Sequence, residues 1–169
     1  MEHTHVVHTF EPVYDSNSEI LILGSFPSVK SREQQFYYGH PRNRFWNVLA
    51  ACYLDETPVT IEEKKQFLLR HHVALWDVIA ECDIEGSSDS SIRNVVPNEI
   101  ERILKVAKIK AIFANGDKAY QLFLKYCKQD GQPMVYKLPS TSPANAAYKL
   151  EKLVACWKEQ LENKKVLEK

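Results

Sequence analysis

The chain has no Cys-x-x-Cys pair. Its four cysteines, Cys52, Cys82, Cys127 and Cys156, lie roughly thirty to forty-five residues apart. That scatter argues against a zinc or iron–sulfur centre and suggests reduced, buried thiols. The phosphate-cradling G-x-x-x-x-G-K-[ST] loop, the dinucleotide fingerprint G-x-G-x-x-G and the nucleophile elbow G-x-S-x-G are all missing. Nucleoside triphosphatases, dinucleotide-dependent oxidoreductases and α/β-hydrolases therefore recede. The opening MEHTHVVHTFEPVYDSNSE lacks the apolar run of a secretory signal, and no later stretch approaches a membrane span. A soluble intracellular protein is expected.

Net charge is lacking too, at +0, yet the charges are segregated. Residues 25–50 hold four Lys or Arg against one acid, and residues 102–169 hold fourteen against six. Residues 51–101 are acidic, with eleven acids against four bases, and residues 1–24 carry four acids and no Lys or Arg. A locally basic face would attract an anionic polymer in a salt-sensitive way, whereas ordinary solvated helix faces would give the same counts.

With 169 residues, 44% of them apolar, the chain fits a single domain spanning 1–169 with a full core. Four short apolar runs predict strands: Glu19 to Gly24, Val73 to Ile79, Lys110 to Ala114 and Met134 to Leu138. Each is apolar on both faces, as in strands covered on two sides. Helical spacing marks Ile61 to His71, Pro97 to Ala107 and Asp117 to Cys127. A last helix is expected from the Ser142-Pro143 cap, with Ala147, Leu150, Leu153, Val154, Trp157 and Leu161 as its apolar stripe. Strand and helix alternation predicts a three-layer α/β/α fold around a central four-stranded parallel sheet.

In such folds ligands bind outside the carboxyl ends of the strands. Here those ends carry Gly24-Ser25-Phe26-Pro27-Ser28, Asp77, Asn115-Gly116-Asp117 and Pro139-Ser140-Thr141-Ser142-Pro143. Beside them stands Tyr38-Gly39-His40-Pro41-Arg42-Asn43-Arg44-Phe45-Trp46, a turn-forming His-Pro among arginines, a carboxamide and aromatics. Those side chains suit a phosphate backbone and a stacked base, or equally an aromatic helix start packed on a core. Ser140-Thr141-Ser142 suits a phosphate or simple N-capping. Asp77 suits a cap or an acceptor for a ligand N–H, and Asn115-Gly116 is a turn dipeptide. His3, His5 and His8 are expected to be a disordered terminus rather than a metal site. His71 and His72 are read as a helix end and a strand start.

These segments together resemble the uracil-DNA glycosylase superfamily, and within it the hypoxanthine-DNA glycosylase (DNA-deoxyinosine glycosylase) branch. Gly24-Ser25-Phe26-Pro27 matches the first motif. Tyr37 to Trp46, Leu75-Trp76-Asp77-Val78 with Gly86 to Ser90, and Leu138 to Ala146 as the second motif carry the rest. Uracil-removing relatives have a water-activating Asp or Asn where this chain has Phe26, which speaks against ordinary uracil excision. The resemblance implies that Asn43 supplies the catalytic carboxamide, that Tyr38 stacks on the flipped base and that Asp77 reads its edge. Phe26 and Asn115 complete the base pocket. Ser25, His40, Arg42, Arg44, Ser140, Thr141, Ser142 and Pro143 are expected at the DNA, with Arg42 and Arg44 either anchoring phosphates or bracing the loop. Ser28, where some relatives have glycine, narrows the pocket floor.

The expected function is a monofunctional DNA N-glycosylase, since no lysine falls in the matched catalytic segment to form a Schiff base. It would act as a monomer on DNA containing a damaged base, with no cofactor, no metal and no membrane. Two alternatives remain open: a glycosylase for uracil or thymine mismatches, and a non-catalytic nucleic-acid-binding α/β module.

Overall fold

The computed structural model describes residues 3–166; the ends of the expected domain span, 1–2 and 167–169, lie outside the described residues. The elements in chain order are β1 (Thr4–Val7), β2 (Ile20–Gly24), α1 (Val29–Gln34), α2 (Phe45–Cys52), α3 (Ile61–Arg70), β3 (Val73–Asp77) and β4 (Ile79–Ile84). After a short 3-10 turn at Asp89–Ser91 come β5 (Arg93–Pro97), α4 (Glu101–Leu104), β6 (Ala111–Asn115), α5 (Asp117–Tyr126), β7 (Val135–Leu138) and α6 (Leu150–Val166).

Four strands form the parallel sheet that the apolar runs predict, in the order β3-β2-β6-β7. Every residue of β2 and β3 is buried, because helices cover both faces and leave no polar side to alternate with. Ile22 stands between Leu75 and Phe113 in register, and all three are fully buried. Side chains of this size contribute about 1.5–3 kcal/mol each when removed from water. Val13 closes the outer edge of β3, exchanging backbone hydrogen bonds of 3.0 and 2.9 Å with Leu75.

The helices owe their ends to local chemistry. In α3 the Thr60 hydroxyl accepts from Glu63 N while Glu63 returns a bond to Thr60 N, a complete capping box. The start of α5 is Gly116 at φ 98°, a left-handed turn that a side chain would strain. Leu153, Trp157 and Leu161 recur every fourth residue along α6 and are buried. Trp157 also donates to Pro139 O at 2.8 Å, tying α6 to the loop after β7.

Three expectations are corrected. The run Val73 to Ile79 is not one strand: β3 stops at Asp77, and Ile79 opens β4 in a second sheet. At the corner Val78 N and Ile79 N donate to Gly24 O and Ser25 O, and the Asn98 amide donates to Asp77 O and Ile79 O. The backbone is thus satisfied while it changes sheets. Next, the terminus carrying His5 is not disordered, since β1 pairs antiparallel with β4, which pairs with β5. The histidines supply part of the reason: His5 bonds both Asp83 and Glu81 across the strand pair, and its pKa is raised, Asp83 first among the causes. Finally, the last helix begins at Leu150 and not at Ser142. The Arg44 guanidinium takes the carbonyls of Thr141, Ser142, Asn145 and Tyr148, while Asn145 N and Tyr148 N donate to Ser142 O and Asn145 O, so the segment runs as successive turns held by Arg44.

Candidate active site

The carboxyl ends of the parallel strands open into one cleft of about 300 Å³. Its floor is the bare Cα of Gly24. A Cβ there would stand 2.5 Å from Asp77 Oδ1 and 2.8 Å from the Tyr38 hydroxyl, so glycine is required for these two polar atoms to converge. Asp77 is 3% exposed at the end of β3. Its Oδ2 pairs with His8 Nε2 at 2.9 Å, while Oδ1 has no protein donor among the described residues.

Tyr38 sits at φ 53° and lays its ring on Phe45, centroids 4.0 Å apart and planes 17° from parallel. The hydroxyl is buried and meets no group in a well-formed hydrogen bond. Burial foremost, then the Asp77 charge, pushes its pKa far above the ordinary phenol value, so the group is a neutral O–H donor. A donor and a carboxylate acceptor thus share the floor. That pair matches the C=O and N–H of a lactam edge.

Asn43 reaches the cleft from the turn before α2. Its Oδ1 accepts from Phe45 N at 2.9 Å and from the Thr141 hydroxyl at 2.8 Å. Both lone pairs are occupied, and a backbone N–H can only be met by the oxygen, so the carboxamide orientation is fixed. No protein acceptor among the described residues meets Nδ2, which leaves the amide end for a ligand or water. Behind it Thr141 and Asn115 form a closed pair: Asn115 Nδ2 donates to Thr141 Oγ1 at 3.0 Å and Thr141 N donates to Asn115 Oδ1 at 3.1 Å.

Phe26, 8% exposed, lines the cleft with Ser25, Ser28 and His40. Ser140, Ser142 and Pro143 line its other side. Arg42 stands exposed beside it, its N–H on His40 Nδ1 at 3.1 Å. The cleft therefore gathers most of the expected residues, and the structure shows how three of them are engaged. Arg44 takes the second of its two expected roles: its guanidinium braces the loop after β7 through the four carbonyls named above. Thr141 is fully buried with hydroxyl and N–H both used inside the protein, so it supports Asn43 instead of touching DNA. Asn115 engages Thr141 through both ends of its carboxamide and lines the cleft beside the Tyr38 hydroxyl.

The sequence reading gave no role to two residues of the site. His8 arrives from the far end of the chain, and nothing in its local pattern marks it as Asp77's partner. Asp89 accepts from the Ser25 hydroxyl at 3.0 Å, placing a second carboxylate at the mouth. The residue is exposed, yet protein packed around the carboxyl withholds enough water to raise its pKa, against the Ser25 hydrogen bond and the Lys118 charge.

Comparison with known proteins decides the family. The model of the uracil DNA glycosylase superfamily matches residues 11–161. This chain belongs to that superfamily. A hypoxanthine DNA glycosylase of Methanosarcina acetivorans is 37% identical over 143 residues, covering 82% of this chain and 88% of its own. One from Methanosarcina barkeri is 35% identical over 112 residues, covering 65% and 71%. The solution NMR structure of a Methanosarcina acetivorans protein provisionally assigned as a uracil DNA glycosylase superposes with a TM-score of 0.71. It has 32% identity and covers 89% of this chain and 95% of that one. As a member of this superfamily the chain has an α/β fold whose described helices include none long and apolar enough to cross a membrane.

Proposed function

We propose that this protein is a monofunctional DNA glycosylase that turns hypoxanthine out of deoxyinosine-containing DNA and hydrolyses its N-glycosidic bond. The observation that carries the reading is the fixed carboxamide of Asn43, anchored at its oxygen by Phe45 N and Thr141 Oγ1 and open at its nitrogen. The similarity to hypoxanthine DNA glycosylases supports the choice of base.

A base within a duplex is out of reach, so it must be flipped into the cleft. There the Tyr38 ring, itself backed by Phe45, offers a stacking face. Asp77 Oδ1 suits the N1–H of hypoxanthine; a base set edge-on to the Tyr38 ring instead of stacked on it would place the C6 carbonyl at the hydroxyl, and Tyr38→Phe separates the two poses. As the C1′–N9 bond breaks, its electron pair passes into the purine and on to the carbonyl oxygen, so no strong general acid is required. The sugar becomes oxocarbenium-like, water adds at C1′, and the proton it sheds passes through solvent to the departing hypoxanthine anion, which leaves as the neutral base. Asn43 cannot take that proton at neutral pH; its Nδ2–H holds the water oxygen in place. The phosphates of the bound DNA stabilise the cation, and the rim carrying His40, Arg42, Ser140, Ser142 and Pro143 faces the backbone.

Asn43→Ala removes the holding group while leaving the floor intact. The variant should keep its affinity for deoxyinosine duplex but lose about two to four orders of magnitude in single-turnover release of hypoxanthine. A folded variant within about tenfold of wild type, equivalent to only about 1.4 kcal/mol of transition-state stabilisation, would refute this role. Running deoxyuridine duplex in parallel tests the base assignment.

A further inference from the structure

A deeply buried hydrogen-bonded pair at the cleft floor uses a residue that the reaction outlined above does not. His8 and Asp77 side chains are 2% and 5% exposed, and His8 Nε2 lies 2.9 Å from Asp77 Oδ2. We propose that His8 is a positioning residue for base selection. It holds the Asp77 carboxyl in place through Oδ2, so that Oδ1 faces the N–H of a lactam edge. This rests on the reading of Asp77 as the group that meets the base.

Several features make His8 a built support and not a chance neighbour. Its backbone N–H donates to Ala80 O at 2.7 Å, extending the β1–β4 pairing so that the imidazole is carried in by a sheet. The ring is then wedged among Phe10, Phe26 and Tyr37, with centroids 4.4, 6.2 and 5.9 Å away, so it cannot swing out. Among the described residues no other donor meets the Asp77 carboxylate. A carboxylate buried without a hydrogen-bonded partner is strongly disfavoured and would take up a proton or rotate. Either change matters for selection. A protonated Asp77 can donate to the N1 lone pair of adenine, whereas an ionised one repels it and accepts from N1–H of hypoxanthine. The small antiparallel sheet therefore serves the chemistry, because it delivers the group that fixes the acceptor.

The test uses the full chain and five proteins: wild type, His8→Phe, His8→Gln, Asp77→Ala and the His8→Phe/Asp77→Ala double variant. Phenylalanine keeps the ring packing and removes the donor; glutamine keeps an N–H at a similar reach. Single-turnover release of hypoxanthine should fall about 10- to 100-fold in His8→Phe, the range expected for a lost hydrogen bond to a charged group. His8→Gln should recover most of that loss. In the double variant His8→Phe should add no more than about twofold to the effect of Asp77→Ala, since the support acts only through what it supports. Full, independent multiplication of the two effects, or a folded His8→Phe variant within about threefold of wild type, overturns the inference. Should wild type itself release no hypoxanthine, the proposed function falls, and the His8–Asp77 tie is judged by the imidazole nitrogen resonances. Assigned by their loss in His8→Gln, these should shift on Asp77→Ala, and unmoved resonances overturn the tie.

Discussion

The floor and the rim of the cleft are built on opposite principles. On the floor, Asn43, Asp77, Thr141 and Asn115 are held by partners far away in the chain: His8 for Asp77, Thr141 for Asn43, Asn115 for Thr141. On the rim, His40 and Arg42 make one short-range contact with each other, and Ser140 accepts from Ser142 N two residues on. The floor is preorganised, so its groups need no reorganisation when a base arrives. The rim side chains have only local partners, although Arg44 fixes the backbone of the loop after β7, and this leaves them free to grip a charged backbone at any sequence. Damage to the floor should therefore appear in the chemical step, and damage to the rim in salt-dependent binding.

Thr141→Val gives the largest expected separation after Asn43 itself. It removes the hydroxyl that links Asn43 Oδ1 to Asn115 Nδ2 and leaves polar atoms short of a partner at a site that is 0% exposed. Losses of about 1–3 kcal/mol per unmet buried group predict a fall of about one to two orders of magnitude in single-turnover rate. Binding of undamaged duplex should hardly change. A rate within threefold of wild type, with the fold intact, would mean that Asn43 is not positioned through this chain.

Tyr38→Ala comes next. It removes the ring stacked on Phe45 and should cost about 1–3 kcal/mol in holding the flipped base, whereas Tyr38→Phe keeps the platform and loses the hydroxyl at the floor. If the phenylalanine variant is as poor as alanine, the hydroxyl over Gly24 outweighs the stack, and the lactam-edge reading becomes the dominant one.

The same division explains what the sequence disclosed. The parallel sheet was legible because β2, β3, β6 and β7 are short apolar runs ending in turn-forming or polar residues. The antiparallel sheet was not. Its β1 and β5 are mostly exposed, and β4 begins two residues after β3 ends, so the apolar run reads straight through the corner. Rim residues carry their chemistry in adjacent positions and were recognised as a cluster. His8 could not be, since its partner lies 69 residues away and its own neighbours read as a loose terminus. Arg44 was read either as a phosphate anchor or as a brace for its loop. Only folding shows that the loop after β7 turns its carbonyls onto it, which also displaces the start of α6 from Ser142 to Leu150.

For the rim, Arg42→Ala should leave the rate at saturating enzyme close to wild type and weaken binding modestly. The slope of log affinity against log salt should become shallower by about 1, as for the loss of one phosphate contact. An unchanged slope would move the backbone contact to His40 or to the serines after β7.

Asp55, remote from floor and rim, sets the scale of an ordinary surface interaction. Its carboxylate accepts from Arg70 at 2.8 Å and from His71 at 2.7 Å. Arg70 first, then His71 and the Glu56 N–H, hold its pKa well below the usual carboxylate range. A depressed carboxylate favours folding at pH values above its unfolded-state pKa of about 4, and that contribution fades as pH falls through and below it. Asp55→Asn should lower Tm by at most a few degrees near pH 7, because exposed pairs contribute little. The gap to wild type should narrow steadily below about pH 4, with hypoxanthine release untouched at neutral pH. A gap that stays constant down to pH 2 would mean that packing around Asp55, and not its charge, is what the substitution disturbs.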